Sequence, residues 1–267
     1  MNLPGLIGVI HLPSLPGAPG APGKRPDTVL KLALERAVAE AVRLEKAGFE
    51  GLIIENFGDA PFYKNRVPAE TVAAMAVIAS AVIERVRVPL GINVLRNDAD
   101  AALAIANVTG ASFVRINVLA GVVATDQGLI EGEAARWVRE NRRLNGRVGI
   151  LADVHVKHAR TLSSDDLAIA IEEVAGRGGA DGVIVTGATT GRLPAQESLR
   201  AALESASHSG VPLYVGSGMT PEGLSASDPG LRLIVGSALR KGGKAGAPLD
   251  DSRIAALVRA WRRYARS

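Results

Sequence analysis

The stretch that decides the fold reads LIGVIHL at residues 6–12, VLKLALERAVAEAVRLEK at 29–46 and GLIIEN at 51–56. The outer two are short apolar runs rich in β-branched residues, the pattern of strands buried on both faces. Between them Leu30, Leu34, Ala37, Val38, Ala41, Val42 and Leu44 recur with a period near 3.6, which predicts a helix, and Gly48 supplies its stop. The unit is strand, helix, strand.

Six further runs of the same character follow: Leu90 to Leu95, Phe113 to Val118, Val148 to Val154, Gly182 to Thr186, Leu213 to Gly216 and Leu231 to Val235. Eight such strands with helices between them, in 267 residues, predict a single α/β domain over residues 1–267, a (β/α)₈ TIM barrel; an open doubly wound sheet is the competing arrangement. With 47% hydrophobic, 22% charged and only 3% aromatic residues, the core must be built from Ala, Val, Leu and Ile. That argues against disorder and against an aromatic-rich β-sandwich.

The chain has no cysteine, which excludes a disulfide framework, a thiolate metal site and a cysteine nucleophile, and the cytosol is the expected compartment. Residues 1–23 lack charge, but they are broken by Pro and Gly and have no basic leader. Neither a signal peptide nor a membrane span is expected from them, and the apolar run from Thr71 to Ile83 is too short to span. A net charge of +4 is thin over this length and does not call for nucleic acid. Arg136, Arg139, Arg142 and Arg143, and again Arg259, Arg262, Arg263 and Arg266, follow helical spacing. They read either as solvated helix faces or as surfaces for an anionic partner such as a phospholipid surface, which would allow peripheral association with a membrane complex. Barrels of this size commonly self-associate, so a homo-oligomer is expected.

Two loops stand out after the strands. Pro13 to Asp27 holds Pro13, Pro16, Pro19, Pro22 and Pro26 among glycines, a composition for a lid or spacer. Phe57 to Pro68 concentrates Phe57, Phe62 and Tyr63 in a chain poor in aromatics, either to fold over a ligand or to anchor the loop to the rim.

Barrel chemistry sits at the C-terminal ends of the strands, where polar residues in phase with the interior converge. His11, Glu55, Asn93, Arg115, Asn117, Asp153, His155, Lys157 and Thr186 have such positions. Singly, each reads as a satisfied structural group; together they predict a site. Glu55, Asp153, His155 and Lys157 are the catalytic candidates, and His11, Asn93, Arg115, Asn117, Asp126 and Thr186 the substrate-binding ones. Asp126 lies in ATDQGLIEGE, read as the loop after the fourth strand, where it either reaches the mouth or bonds its own turn. Gly216, Ser217 and Gly218, then Gly236 and Ser237, follow the last two strands. These loops commonly hold a phosphate in barrels, with Thr220 and Pro221 opening a short helix.

No cofactor is specified by the sequence. Glu55, Asp59, Asp153 and His155 are donor types suited to a divalent Mg²⁺ or Mn²⁺, yet no HExxH or comparable spacing occurs and no metal site is assigned. A nucleophile elbow and a nucleotide P-loop are also absent.

The strings GVIHLPSLPG (8–17), ENFGDAPFYKNRVPAETVAAM (55–75), GINVLRND (91–98), FVRINVLAG (113–121) with TDQGLIEG (125–132), LADVHVKHA (151–159) and VGSGMTPE (215–222) together resemble the BtpA family over nearly the whole chain. The resemblance implies a TIM barrel related to phosphate-binding barrels, in a family named for a role in accumulating a photosynthetic membrane complex. It marks as site residues His11, Glu55, Asn56, Asp59, Asn93, Arg96, Asn97, Arg115, Asn117, Asp126, Asp153, His155 and Lys157. The Gly-Ala-Pro run in the first loop is simplified relative to the family. The expectation is an enzyme acting on a phosphorylated sugar or nucleoside phosphate by isomerase- or lyase-type proton transfer, with Asp153 and Glu55 as acid and base. A Schiff base on Lys157 is a variant of it. The alternative is a non-catalytic assembly factor for a membrane complex such as photosystem I.

Overall fold

The computed structural model describes residues 3–21, 23, 25–144, 148–186, 196–216, 218–225 and 227–266; Pro22 and Ser217 lie outside the described residues. In chain order the strands are β1 (Leu6–His11), β2 (Gly51–Glu55), β3 (Leu90–Asn93), β4 (Phe113–Ile116), β5 (Val122–Thr125), β6 (Gly128–Glu131), β7 (Gly149–Val154), β8 (Ala159–Thr161), β9 (Gly182–Val185), β10 (Leu213–Val215) and β11 (Arg232–Val235). Eight of them close a parallel barrel in the order β1-β2-β3-β4-β7-β9-β10-β11. They coincide with the eight runs read from the sequence, and closure of β11 onto β1 excludes the open sheet.

The helices are α1 (Pro26–Ala47), α2 (Ala69–Ile83), α3 (Ala99–Thr109), α4 (Ala134–Arg143), α5 (Leu167–Glu172), α6 (Gln196–His208), α7 (Pro221–Ser225) and α8 (Asp251–Tyr264). Gly48 ends α1 at φ 108, a left-handed cap that donates to the carbonyls of Leu44 and Glu45. Half of the buried stripe of α1 is alanine, Ala33, Ala37 and Ala41, which lets the helix lie close on the strands. Inside the barrel a second core gathers Ile7, Val9, Ile53, Phe113, Leu151, Ile184, Tyr214 and Ile234. Gly91 is required there, because a Cβ would stand 2.3 Å from Phe113 Cε2.

One expectation needs correction. The segment holding Asp126 is not a loop but the hairpin β5–β6, which with β8 forms a separate antiparallel sheet. Asp126 and Gln127 make the turn, Gly128 closes it at φ 96, and Thr125 donates its hydroxyl to the Gly128 carbonyl at 2.8 Å. Val123 and Ile130 pack with Val118 and Val156 in a cluster of their own. This sheet is small enough to have been read as connection.

Arg240, fully buried, joins the segment after β11 to α1 and β1. It donates to both Glu40 carboxylate oxygens at 2.8 and 3.1 Å and to the carbonyls of Val9 and Ala247 at 3.2 and 2.7 Å. Such a pair is tolerated inside because its hydrogen-bonding capacity is largely filled. Among the described residues no helix is long and apolar enough to cross a membrane.

Candidate active site at the barrel mouth

Strand register sets the first row of the site: His11 pairs with Glu55 across β1 and β2, and Glu55 with Asn93 across β2 and β3. The row lies at the C-terminal ends of the strands, below a cavity of about 290 Å³. His11, Glu55, Arg115, Asn117, Lys157, Gly216, Gly218, Gly236 and Ser237 all line this cavity, together with Arg96, Phe57 and Phe62.

A polar network runs beneath it. Arg115 donates to both oxygens of Asp153, Asn117 Nδ2 donates to Asp153 Oδ2 at 2.7 Å, and Asn93 Nδ2 donates to Asn117 Oδ1 at 3.2 Å and to the Arg115 carbonyl at 3.0 Å. Asp153 is thus held as the counter-ion of Arg115. Asn93 Oδ1 is buried without a partner among the described residues.

Glu55 is different. Its carboxyl is buried, takes part in no side-chain hydrogen bond among the described residues, and has His11 Nε2 at 3.8 Å. Burial pushes its pKa up; Arg115 opposes this, and the Asp153 charge adds to it. His11 accepts from the Gly246 amide at Nδ1 over 3.2 Å, which assigns its proton to Nε2, and its ring lies 4.7 Å from that of Phe57. Burial, with Arg240, Arg36 and Arg115 nearby, holds its pKa down to about 3. Lys157 is pushed down to about 8, first by burial and then by Arg115, against the pull of Asp153 and Glu55. The cavity therefore presents a neutral imidazole, a carboxyl biased toward protonation and an ammonium biased toward the free amine.

The last two barrel strands supply the other wall. Gly216 donates its amide to the Val185 carbonyl, Gly218 is left-handed at φ 77, and Thr220 Oγ1 accepts from Gly223 at the start of α7. Gly236 permits a close approach of the backbone to the mouth row, since a Cβ there would stand 2.9 Å from His11 Nε2. Ser237 and Ala238 open a short 3-10 turn, whose first amides have no partner within the turn itself. Thr186 is half-buried beside Gly216, and its hydroxyl has no partner among the described residues. Ser217 is outside the described residues.

Two candidates stand away from this cavity. β7 ends at Val154, so the alternation that put His155 in phase with Asp153 does not continue. His155 adopts φ 51, and its Nε2 meets the Ser164 carbonyl at 3.0 Å beside the small sheet. Asp126 is exposed at the hairpin tip, accepting from Gln127 Nε2 at 2.6 Å. Asp59 ties three loops: it accepts from the Leu15 amide at 2.8 Å and from Asn56, whose Oδ1 accepts from the Leu95 amide at 2.7 Å. With Asp59 and Asp153 so bonded and His155 turned away, the four donors suited to a divalent ion do not gather. Among the described residues no group of three or more His, Asp or Glu does so.

The residues themselves left Phe57 open between covering a ligand and anchoring its loop, and Arg96 was marked only by the family resemblance; both line the cavity. Phe57 sits in the aromatic loop and stacks on His11; Arg96 lines the cavity and donates to the Lys157 carbonyl. The signal for Arg96 in the residues was its place three positions past the end of β3, in the loop at the barrel mouth.

The model of the BtpA family matches residues 3–263. A Synechocystis protein, "Photosystem I biogenesis protein BtpA", is 45% identical over 232 residues, covering 86% of this chain and 80% of its own. An uncharacterized protein of Methanocaldococcus jannaschii is 42% identical over 95% of this chain and 93% of its own. Among solved structures, N-(5'-phosphoribosyl)anthranilate isomerase from Pyrococcus furiosus superposes with a TM-score of 0.54 at 12% identity, over 97% of this chain and 98% of that one. This last likeness is one of fold, that of the TIM barrel. The family model and the relatives reach further, and the chain belongs to the BtpA family.

Proposed function

We propose that this protein is an enzyme acting on a phosphorylated small metabolite, a sugar or nucleoside phosphate, by isomerase- or lyase-type proton transfer. The observation that carries the reading is one cavity lined by Glu55 and Lys157 together with the glycine turns at Gly216, Gly218 and Gly236. Groups whose pKa values are moved toward neutrality suit proton transfer. Glycine turns allow backbone amides to approach an anion, and Arg96, Arg115 and Lys157 bias the cavity toward negative charge. In this reading Glu55 moves the proton, while Asp153 holds Arg115 in place. The isomerase that shares the fold supports the class of chemistry by analogy alone.

The test is a thermal-shift screen with inorganic phosphate, sugar phosphates and nucleotides, repeated with Gly218→Glu. Ligand at about a hundredfold over its Kd stabilises by roughly 2.7 kcal/mol. A shift confined to phosphorylated ligands and lost in the variant supports the reading; the same shift retained in Gly218→Glu removes this wall as the anion site.

The name of the Synechocystis relative favours a second reading, a non-catalytic assembly factor that associates with a membrane complex from the cytosol. The arginine stripe of α4 is its candidate surface. Arg136 and Arg143 are already engaged with Asp100, Glu133 and Glu140, so Arg139→Glu with Arg142→Glu is the informative pair. Loss of partner recovery in that variant, with cavity substitutions silent, favours assembly over catalysis.

A further inference from the structure

Between β7 and β8 the chain makes a turn of four residues, His155, Val156, Lys157 and His158. His155 and His158 are both left-handed, at φ 51 and φ 55. Non-glycine residues in this region are strained and persist where the surroundings enforce them. Here Arg96 donates from Nη2 to the Lys157 carbonyl, and His155 Nε2 meets the Ser164 carbonyl at 3.0 Å.

What the turn delivers to the cavity wall is the Lys157 side chain. Among the described residues its ammonium makes no ion pair or hydrogen bond. Asp153, the carboxylate it would otherwise pair with, is taken by Arg115 and Asn117. An amine held in a strained turn, half out of water and without a counter-ion of its own, has no evident packing role. The same cavity holds the Glu55 carboxyl, which takes part in no side-chain hydrogen bond among the described residues and has His11 Nε2 at 3.8 Å.

We propose that Lys157 is a covalent nucleophile that forms an imine with the aldehyde or ketone carbon of the phosphorylated substrate, with Glu55 as its proton carrier. The proposal rests on the reading of the cavity given above and names its substrate class as a phosphorylated carbonyl compound. The Nζ lone pair attacks the carbonyl carbon, a C–N bond forms, and the C=O π pair moves to oxygen, which takes the Glu55 proton. The extra proton on Nζ then returns to the Glu55 carboxylate. Glu55 protonates the hydroxyl again, the C–O bond breaks with release of one water, and the nitrogen lone pair closes the C=N⁺ bond. No oxidant or reductant enters. The iminium acidifies the adjacent C–H, and the Glu55 carboxylate left by the last step accepts that proton, which opens either isomerisation or cleavage. With a pKa of about 8, Lys157 carries roughly two hundredfold more free amine at neutral pH than an ordinary lysine.

The chain is incubated with dihydroxyacetone phosphate, glyceraldehyde 3-phosphate, ribose 5-phosphate or unphosphorylated pyruvate in the presence of cyanoborohydride, and its peptides are read by mass spectrometry. The expected result is a reduced adduct on Lys157 accumulating at least about tenfold faster than on any other lysine, and slowed by Glu55→Gln. Site-resolved labelling of the parent needs no variant to fold; Lys157→Arg and Lys157→Met provide the loss control. Adduct spread evenly over the lysines, or none on Lys157 with any of the four probes, overturns the proposal. A phosphate-dependent thermal shift without a Lys157 adduct removes the imine and leaves the phosphate reading standing. A Lys157 adduct with pyruvate alone removes the phosphate and leaves the imine.

Discussion

Arg115 grips Asp153 through two parallel hydrogen bonds, 2.9 Å from Nη2 to Oδ1 and 3.0 Å from Nε to Oδ2, with the carboxylate side chain wholly out of solvent. Removing one partner leaves a buried charge uncompensated, so Asp153→Ala is expected to cost about 3–5 kcal/mol. Replacing both, as Arg115→Leu with Asp153→Leu, is expected to cost less than the single change. Urea unfolding at neutral pH measures both; a double variant worse than Asp153→Ala would show that the pair does more than neutralise itself.

The barrel strands were legible because strands covered on both faces are continuous apolar runs, and α1 because its stripe ends at Gly48. The mouth row was legible too, since His11, Glu55 and Asn93 follow the two-residue alternation to the last strand position. Prediction failed where that alternation stops. His155 lies one residue past the end of β7, where a left-handed backbone turns its ring toward Ser164. The small sheet was missed because VVAT and GLIE are only partly buried and so lack the continuous apolar character of strands covered on both faces, and because β8, which pairs with β5, is distant in sequence. Which of the converging carboxylates is free depends on hydrogen bonds between strands, and no spacing rule shows that Arg115 engages Asp153 and leaves Glu55 alone.

Glu55→Gln is expected to stabilise the protein at pH 8 and to change little at pH 4. Burial raises the folded-state pKa of Glu55 above its unfolded value. Its contribution is therefore fully present below the unfolded value, about 4.3, and is lost as pH rises through the folded one. Glutamine mimics the protonated acid throughout. Denaturant unfolding at the two pH values is the measurement, and equal differences at both would remove the buried-acid assignment.

Lys157 gives the opposite slope in the alkaline range. Its folded pKa of about 8 lies below the unfolded value, so the unfolded chain binds the extra proton between about 8 and about 10.4, and stability rises with pH across that window. Lys157→Met should abolish this component, on the order of 2 kcal/mol once solvent access to the ammonium is allowed for. Parallel pH profiles of parent and variant would count against a depressed lysine.

His11 governs an acid limb. With its folded pKa held near 3 and an unfolded value near 6.5, the stability due to the neutral ring is complete above the unfolded value and falls as pH drops toward the folded one. His11→Gln should lose less stability than the parent between pH 6.5 and pH 4, even if it starts lower at pH 7. Unfolding midpoints along this range decide it, and an acid limb as steep in the variant as in the parent would place the responsible group elsewhere.

Gly236 and Gly91 separate the site from the scaffold. An alanine methyl at Gly236 would stand 2.9 Å from His11 Nε2, at the cavity wall, whereas one at Gly91 would stand 2.3 Å from Phe113 Cε2 in the barrel interior. Overpacking of this kind costs about 1–3 kcal/mol, so both variants should melt earlier. Only Gly236→Ala should also lose the stabilisation by phosphorylated ligands, because it displaces His11 and fills the approach to the Ser237 and Ala238 amides. Thermal-shift titrations of the two variants, each referred to its own unliganded Tm, make the comparison. Equal retention of the ligand shift in both would mean that the wall formed by β11 and the following turn does not contact the ligand.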